Sequence, residues 1–554
     1  MAWVREHRVL ICLLVVHSIL LGVSVFCHSP GLDECGHLPS GYLNWKGRFD
    51  AYRVNPPLVR MVAAVPLLIG EPTDQFNAGV SKGSYRAEYY VGHEFYQKHG
   101  RKLLLYLIAG RMLCLPFSLI GMVALHTWAY RMFTKPTAHV AATFWCFSPN
   151  IIAHGSMITP DIAATSAGVI VGFALWSWVR DPSWKRTLWL GLAVSFAVLT
   201  KFTWLVLILF VPAVMAGNHF FRNRVTSIWW KSVAVLLIVL YLVNAQYGFK
   251  GTGQSLAQLH PDSRALHTLS SMPILKDFPI PVPEDVVLGI DRQKCDFENR
   301  FSSYFCGEHR DGGWWNYYVV GLLIKEPIGL WIAFVIGTAT FICDPDVPRT
   351  TRIILIGLPT IVLVLVSAQT GFNHHLRYVL PAFPFLYILA GTAVSSVTGV
   401  GSLAGRHRLT LVALAAFVGS SLYVFPHSLS YFNCVIGGPT NGHRYLINSN
   451  IDWGQDLIFL ERWLKRNGDP KIDGYELIYP ASYMFADAQP IPNQPTPGTW
   501  IISADRVHHR SGRHEYFLQY EPKDMIGYST FVYQIPPSQR PVGPTQPQNS
   551  VRSP

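Results

Sequence analysis

The chain of 554 residues is half hydrophobic and only 14% charged, with a mean hydropathy of +0.25. A soluble protein of this length would carry more charge and divide into several domains, so composition argues for a polytopic membrane protein. Much of the net charge of +12 sits in short basic connectors between apolar runs, where it sets topology and does not mark a nucleic-acid binder.

At the N-terminus, MAWVREHR precedes VLICLLVVHSILLGVSVF, the charge pattern of a signal peptide. No small-x-small cleavage site follows, and Phe26 spoils the position before Cys27 for a lipoprotein box, so the run reads as an uncleaved first helix. A crossing needs roughly 20 mostly apolar residues. Runs near 8–27, 103–131, 137–153, 160–179, 187–200, 202–217, 228–247, 318–342, 352–370, 378–398 and 408–426 predict eleven helices. With VREHR inside, the connectors YRMFTKPT, VRDPSWKR, HFFRNR, VPRTTR and GRHR all fall inside as well, provided 187–217 crosses twice with Lys201 turning at the outer surface.

This threading leaves outside the loop 28–102, a short one at SPNIIAHGSMITPD, the loop 248–317 and everything from 427 onward. In the last region DLIFLERWLKRN has helical periodicity, while YELIYP, GTWIISAD and STFVYQI read as strands, so 427–535 is a small extracytoplasmic α/β domain beyond a membrane domain 1–426. The tail 536–554 is rich in Pro, Gln and Ser and reads as disordered. The fold class is a membrane all-α bundle carrying that small domain. There is no internal repeat and no inverted pair of broken helices of the transporter kind.

The residues with chemical potential gather at outer helix ends. Asp33 and Glu34 follow the first helix directly, and His37 and Tyr42 come after them at helical spacing in DECGHLPSGYLNW. NPPLVRMVAAVPLL then turns into an Arg-bearing amphipathic stretch suited to lie on the bilayer. Asp161 opens the fourth helix after Pro160, where it also suits the helix dipole. Lys201 and Lys325 (in GLLIKEPIGLW) are cations near the same surface, and FNHHLRYVLPAFPF sets His374, His375 and Arg377 at the start of the tenth helix. Arg suits bidentate binding of a phosphate. Adjacent His residues point apart on a helix and do not indicate a metal, and the nine cysteines form no CxxC pair. Carboxylates and cations at one membrane face are what a reaction on a lipid-linked phosphate requires: a carboxylate takes a proton from an acceptor hydroxyl, and cations offset charge on the departing phosphate. No P-loop or Rossmann fingerprint is present, so no soluble nucleotide cofactor is indicated, and no metal is. Cys295 and Cys306 share one outer loop, so an oxidising compartment permits a disulfide between them.

The motifs DECGH…GYLNWKGRF…NPPL, SPNIIAHGSMITPD, LTKFT, KEPIG, RYVLPAFPF and YFNCVIGGPTNGHRYLINSNIDWGQDL span most of residues 8–460. Together they resemble the polytopic GT-C glycosyltransferases of the protein O-mannosyltransferase and lipid A aminoarabinose transferase type, in particular a bacterial branch. The resemblance implies transfer of a sugar from a polyprenyl-phosphate donor to a hydroxyl, usually with inversion and without a nucleotide sugar. It implies a multi-pass protein of the bacterial inner membrane with its site facing the periplasm or exterior. By position, Asp33 is the expected general base, Glu34 its catalytic neighbour and Asp161 a second acidic site residue. Arg377 with Lys201 or Lys325 is expected to hold the donor phosphate, with His37 and His374 near the substrate. The loop 248–317 lacks the large β-trefoil insertion of the fungal and animal enzymes, so the acceptor remains open among protein, lipid and glycan. The competing class is a transporter or flippase of polyprenyl-linked glycan, which would carry its charges within helices near the midplane.

Overall fold

The computed structural model describes residues 2–70, 86–220, 226–395, 402–478 and 489–537. Among these, seven helices are long and apolar enough to cross a membrane, or eight if one bent pair counts as a span. The expected count of eleven is therefore not reached. The Lys135–Phe147 and Trp184–Thr200 helices have 13 and 17 residues, which at 1.5 Å per residue rise about 20 and 26 Å, less than the roughly 30 Å of a hydrocarbon core. The apolar stretch Phe202–Gly217 is likewise short. The run 318–342 is not one helix. Tyr317–Lys325 and Ile328–Cys343 meet at 110°, because Pro327 cannot continue a helix and holds Glu326 extended (φ −112°, ψ 143°).

Two spans form the centre of the bundle. Pro160–Arg180 has 78% of its apolar window buried and Leu376–Val394 has 94%, against 28% for the peripheral Leu403–Val424. Both central spans begin at one end of the bundle with a charged residue, Asp161 and Arg377. At the other end Phe133 packs on Phe341 (centroids 6.1 Å apart), Arg406 donates to Thr340 (3.0 Å) and Trp176 to Thr351 (3.2 Å). These contacts gather the ends that carry the basic connectors. Pro160–Arg180, with 21 residues, separates the two ends by about 30 Å.

The first helix, α1 (Ala2–Cys27), is followed after a short linker by α2 (Leu32–Trp45). Glu34 Oε2 accepts from the Gly31 backbone N–H at 2.8 Å, which closes the first turn of α2. The helix then packs against Leu58–Ala63 at Gly41, where a Cβ would stand 2.0 Å from the Arg60 carbonyl oxygen. Arg60 does not lie among headgroups as the amphipathic reading expects. It is buried, and its guanidinium donates to Asn44 Oδ1 and to the carbonyls of Tyr52, Asn55 and Pro56.

In the loop 248–317 a helix, Glu284–Glu298, precedes a hairpin of β1 (Ser302–Phe305) and β2 (Glu308–Asp311). The expected Cys295–Cys306 disulfide is absent, and both thiols are free. Cys295 is buried on the helix, whereas Cys306 sits at the left-handed hairpin tip (φ 51°) and its N–H donates elsewhere, to Tyr445 O at 2.9 Å. After the last long helix the chain runs through short 3₁₀ turns to the helix Leu457–Arg466 and a sheet of order β3-β4-β6-β5. Its strands are β3 (Gly474–Glu476), β4 (Gly498–Ser503), β5 (Asp524–Ile526) and β6 (Thr530–Ile535). β3 pairs parallel to β4, and the other pairs are antiparallel. The small C-terminal α/β unit is thus present. The expected tail 536–554 lies, from 538 onward, outside the described residues.

Candidate functional site

The first turn of α2 sends its two acidic side chains in different directions, since neighbours on a helix project about 100° apart. Asp33 faces the start of the Leu376–Val394 span, where Arg377 Nη2 donates to its Oδ2 at 2.7 Å. Nη1 of the same guanidinium donates to Asp161 Oδ2 at 3.1 Å, and Lys201 Nζ reaches Asp161 Oδ1 at 2.6 Å. Four segments far apart in sequence therefore build one alternating chain of charge: Asp33, Arg377, Asp161, Lys201. The side chains of Asp161, Arg377 and Lys201 are 1%, 7% and 7% exposed, and Asp33 is the most accessible at 15%. Lys201, expected at the outer surface, is instead drawn under it by Asp161, at the break between Trp184–Thr200 and the turn that follows.

Aromatic faces fix the two cations. The Arg377 guanidinium carbon lies 4.2 Å from the centre of a Trp453 ring, and Lys201 Nζ lies 4.9 Å from that of Tyr378. Trp453 arrives there because the IDWGQDL segment bonds to the α1–α2 linker: Leu32 N donates to Trp453 O (2.9 Å) and Ser29 N to Gln455 O (3.0 Å). One turn along α2, His37 stacks on Tyr52 (centroids 4.5 Å, 28° between planes), with Tyr52 Oη 3.3 Å from His37 Nε2. Burial, above all, pushes His37 down to about 3, so it stands neutral behind Asp33.

Three other expected residues lie outside this cluster. Glu34 is fully buried and takes Arg111 through both oxygens, Nε to Oε1 at 2.8 Å and Nη2 to Oε2 at 2.5 Å. Its Oε1 also accepts from Ile158 N–H at 2.8 Å, so Glu34 ties α2 to its neighbours and has no free face toward Asp33's partners. Lys325 donates to the carbonyls of Leu429 and Asn450, both at 2.6 Å, and so pins the 3₁₀ segment to the bundle. His374 Nε2 bonds to Ser302 O at 2.6 Å. It lines a cavity of about 330 Å³ together with His375, Ser449, Asp452, Trp453 and Asp505. Trp453 is thus shared between the charge chain and this polar cavity. A second cavity, of about 270 Å³, is walled by apolar side chains that include Val198, Leu199, Phe202, Val239 and Val243. Leu199 and Phe202 bracket Lys201 in sequence.

Trp453, Tyr378 and Tyr52 complete the site, and sequence reading did not single them out. Tyr378 follows Arg377 directly and Trp453 sits within the quoted IDWGQDL stretch, but only contact distances assign them a part.

Residues 106–247, about a quarter of the chain, match the family model described as dolichyl-phosphate-mannose-protein mannosyltransferase. That match begins within the second predicted span and ends just before the loop 248–317, and it agrees with the motif resemblance on one class, the polytopic GT-C glycosyltransferases. Two solved structures are similar: ArnT from Cupriavidus metallidurans bound to undecaprenyl phosphate, with 11% identity, 95% of this chain and 98% of that one covered and a TM-score of 0.46, and the same protein in the apo state, with 11% identity, 94% and 97% covered and a TM-score of 0.38. No curated protein sequence matches the chain.

Proposed function

We propose that this protein is a membrane glycosyltransferase that moves a sugar from a polyprenyl-phosphate donor to a hydroxyl acceptor on the extracytoplasmic side, with Asp33 as general base. The observation that carries the reading is the chain Asp33–Arg377–Asp161–Lys201 at one end of the bundle, next in sequence to an apolar cavity and sharing Trp453 with a polar one. An isoprenoid needs an apolar groove, its phosphate needs cations, and a sugar acceptor needs a polar approach.

In the reaction the acceptor oxygen attacks the anomeric carbon, the bond from that carbon to the phosphate oxygen breaks, and the acceptor proton passes to Asp33. The polyprenyl phosphate leaves with its electron pair. Arg377 and Lys201 offset the charge that grows on it, in a site where burial strengthens their effect. Asp161 holds both cations in place, and the ring of Trp453 restricts where the Arg377 plane lies. In the resting site Arg377 is bonded to Asp33, so donor phosphate competes for the guanidinium and frees the carboxylate as it binds. The two charged groups on the central spans lie at helix ends, away from the midplane, which favours an enzyme over a transporter. Orientation with the site outside rests on the basic connectors at the other end, and the inner membrane of a bacterium rests on the motif resemblance.

The test is transfer from a radiolabelled polyprenyl-phosphate sugar by purified protein in detergent or nanodiscs, against a panel of lipid, glycan and peptide acceptors. Donor-dependent product that is lost in Asp33→Asn supports the reading, and full activity in that variant removes it.

A further inference from the structure

Outside the charge chain, one group of His and carboxylate side chains converges among the described residues: His28, His427 and Asp456, each with a ligand atom within 4.8 Å of the others. They come from three places. His28 follows α1, His427 follows the last long helix Leu403–Val424, and Asp456 directly precedes the helix Leu457–Arg466 that opens the α/β unit.

His28 has the surroundings of a metal ligand, and His427 and Asp456 are hydrogen-bonded to each other beside it. His28 Nδ1 lies 2.9 Å from Ser24 O, so it carries the proton and Nε2 carries the lone pair. That Nε2 is buried and has no hydrogen-bond partner. A ring N–H held by a backbone carbonyl, with the other nitrogen free, is the usual second-shell arrangement of a ligating histidine. Asp456 is held likewise. Its Oδ2 accepts from Gln455 Nε2 and Ser529 Oγ, both at 2.7 Å, and its Oδ1 lies 2.8 Å from His427 Nδ1. Gly527 (φ 61°) closes over this carboxylate so tightly that a Cβ would stand 2.2 Å from its carbon. The Phe459 ring packs on both imidazoles, with centroids 5.7 Å from His28 and 4.4 Å from His427. The nearby Arg111 is paired with Glu34 through both oxygens, which offsets part of its repulsion of a cation.

We propose that His28, His427 and Asp456 bind one divalent transition-metal ion of the zinc class, which fastens the C-terminal α/β unit to the ends of the first and last long helices. Two imidazoles and a carboxylate are a zinc ligand set, and tetrahedral bonds of about 2.0–2.1 Å place ligand atoms roughly 3.3 Å apart; the atoms here lie within 4.8 Å of one another, and His427 Nδ1 and Asp456 Oδ1 stand 2.8 Å apart in a hydrogen bond that metal binding would replace. The fourth position falls to water. The site is separate from the charge chain and does not depend on the proposed transfer reaction.

The test uses full-length protein purified in detergent without a histidine tag, stripped with EDTA and titrated with Co²⁺. One equivalent should bind with visible d–d absorption and be displaced by Zn²⁺, and Zn²⁺ should raise the melting temperature. His28→Gln and Asp456→Asn should each weaken Co²⁺ binding at least 100-fold, whereas Asp33→Asn should leave it intact. X-ray absorption of zinc-loaded wild type should report two imidazoles and oxygen ligands, a reading that stands even if the variants fail to fold. Wild type that takes up no Co²⁺, binding that is unchanged in His28→Gln, or a thiolate in the zinc shell would each overturn the proposal.

Discussion

Arg377 donates to Asp33 at 2.7 Å across 344 positions of sequence. The general base and the phosphate clamp of the proposed reaction therefore meet in the resting site. Asp33→Asn keeps the shape and the acceptor for Arg377 but cannot take a proton. Turnover is expected to fall by about 100- to 10,000-fold, roughly 3 to 5 kcal/mol of barrier, with the KM for donor little changed. Steady-state kinetics with a polyprenyl-phosphate sugar decide it, and near-normal kcat would remove Asp33 from the role.

Arg377→Lys keeps a positive charge but loses the fork that spans two carboxylates. A charge-assisted hydrogen bond is worth about 1.5–3 kcal/mol, so the donor KM should rise by roughly 10- to 100-fold. Because Asp161 keeps Lys201 (2.6 Å), kcat should fall less than in Asp33→Asn. A KM equal to wild type would mean that the phosphate lies elsewhere.

Glu34→Gln tests the division of labour within the acidic pair. Glu34 is buried with Arg111 through two hydrogen bonds, and breaking a buried pair costs about 3–5 kcal/mol. Melting temperature and yield should drop while activity per folded molecule persists. A stable variant with no activity would instead place Glu34 in the chemistry.

The two ends of the bundle make orientation testable. Reporter fusions after Phe133, Arg180, Asp346 and Arg406 should report cytoplasm, and fusions after Gly92, Asp285 and Pro492 the outside. The reverse pattern would put the charge chain on the cytoplasmic face, contrary to the proposed donor side.

Asp452 and Asp505 line the polar cavity. Burial raises Asp505 to about 7, and burial followed by the Asp505 charge raises Asp452. The folded chain thus keeps protons that the unfolded chain has released above about pH 4. The Asp505 share of stability should fall as pH rises from about 4 to 7 and level off above. Melting curves from pH 5 to 8 should show that slope, and Asp505→Asn should flatten it. An unchanged slope in the variant would assign the effect to other groups.

Hydropathy and turn chemistry determined much by themselves. Helix ends set the height of Asp33 and Asp161, because a side chain at the end of a long apolar run has to sit near one face of the bundle. The strands within GTWIISAD and STFVYQI and the helix in DLIFLERWLKRN were legible for the same local reason, their periodicity. The break at Pro327 was legible in principle from the proline, yet the apolar run on both sides concealed it. What only tertiary structure decided is which groups meet. Asp33 and Glu34 are neighbours in sequence, but the helix turns about 100° between them, so one reaches Arg377 and the other Arg111. Lys201 and Lys325 read alike as cations near a surface, but Asp161 draws in the first and two backbone carbonyls capture the second. Trp453 comes under Arg377, and His28 beside Asp456, through backbone bonds of Ser29 and Leu32 to Gln455 and Trp453 and the Ser29 hydroxyl that accepts from Leu457 N–H. No local pattern encodes such partners, because they are chosen by packing between segments 40 to 428 positions apart.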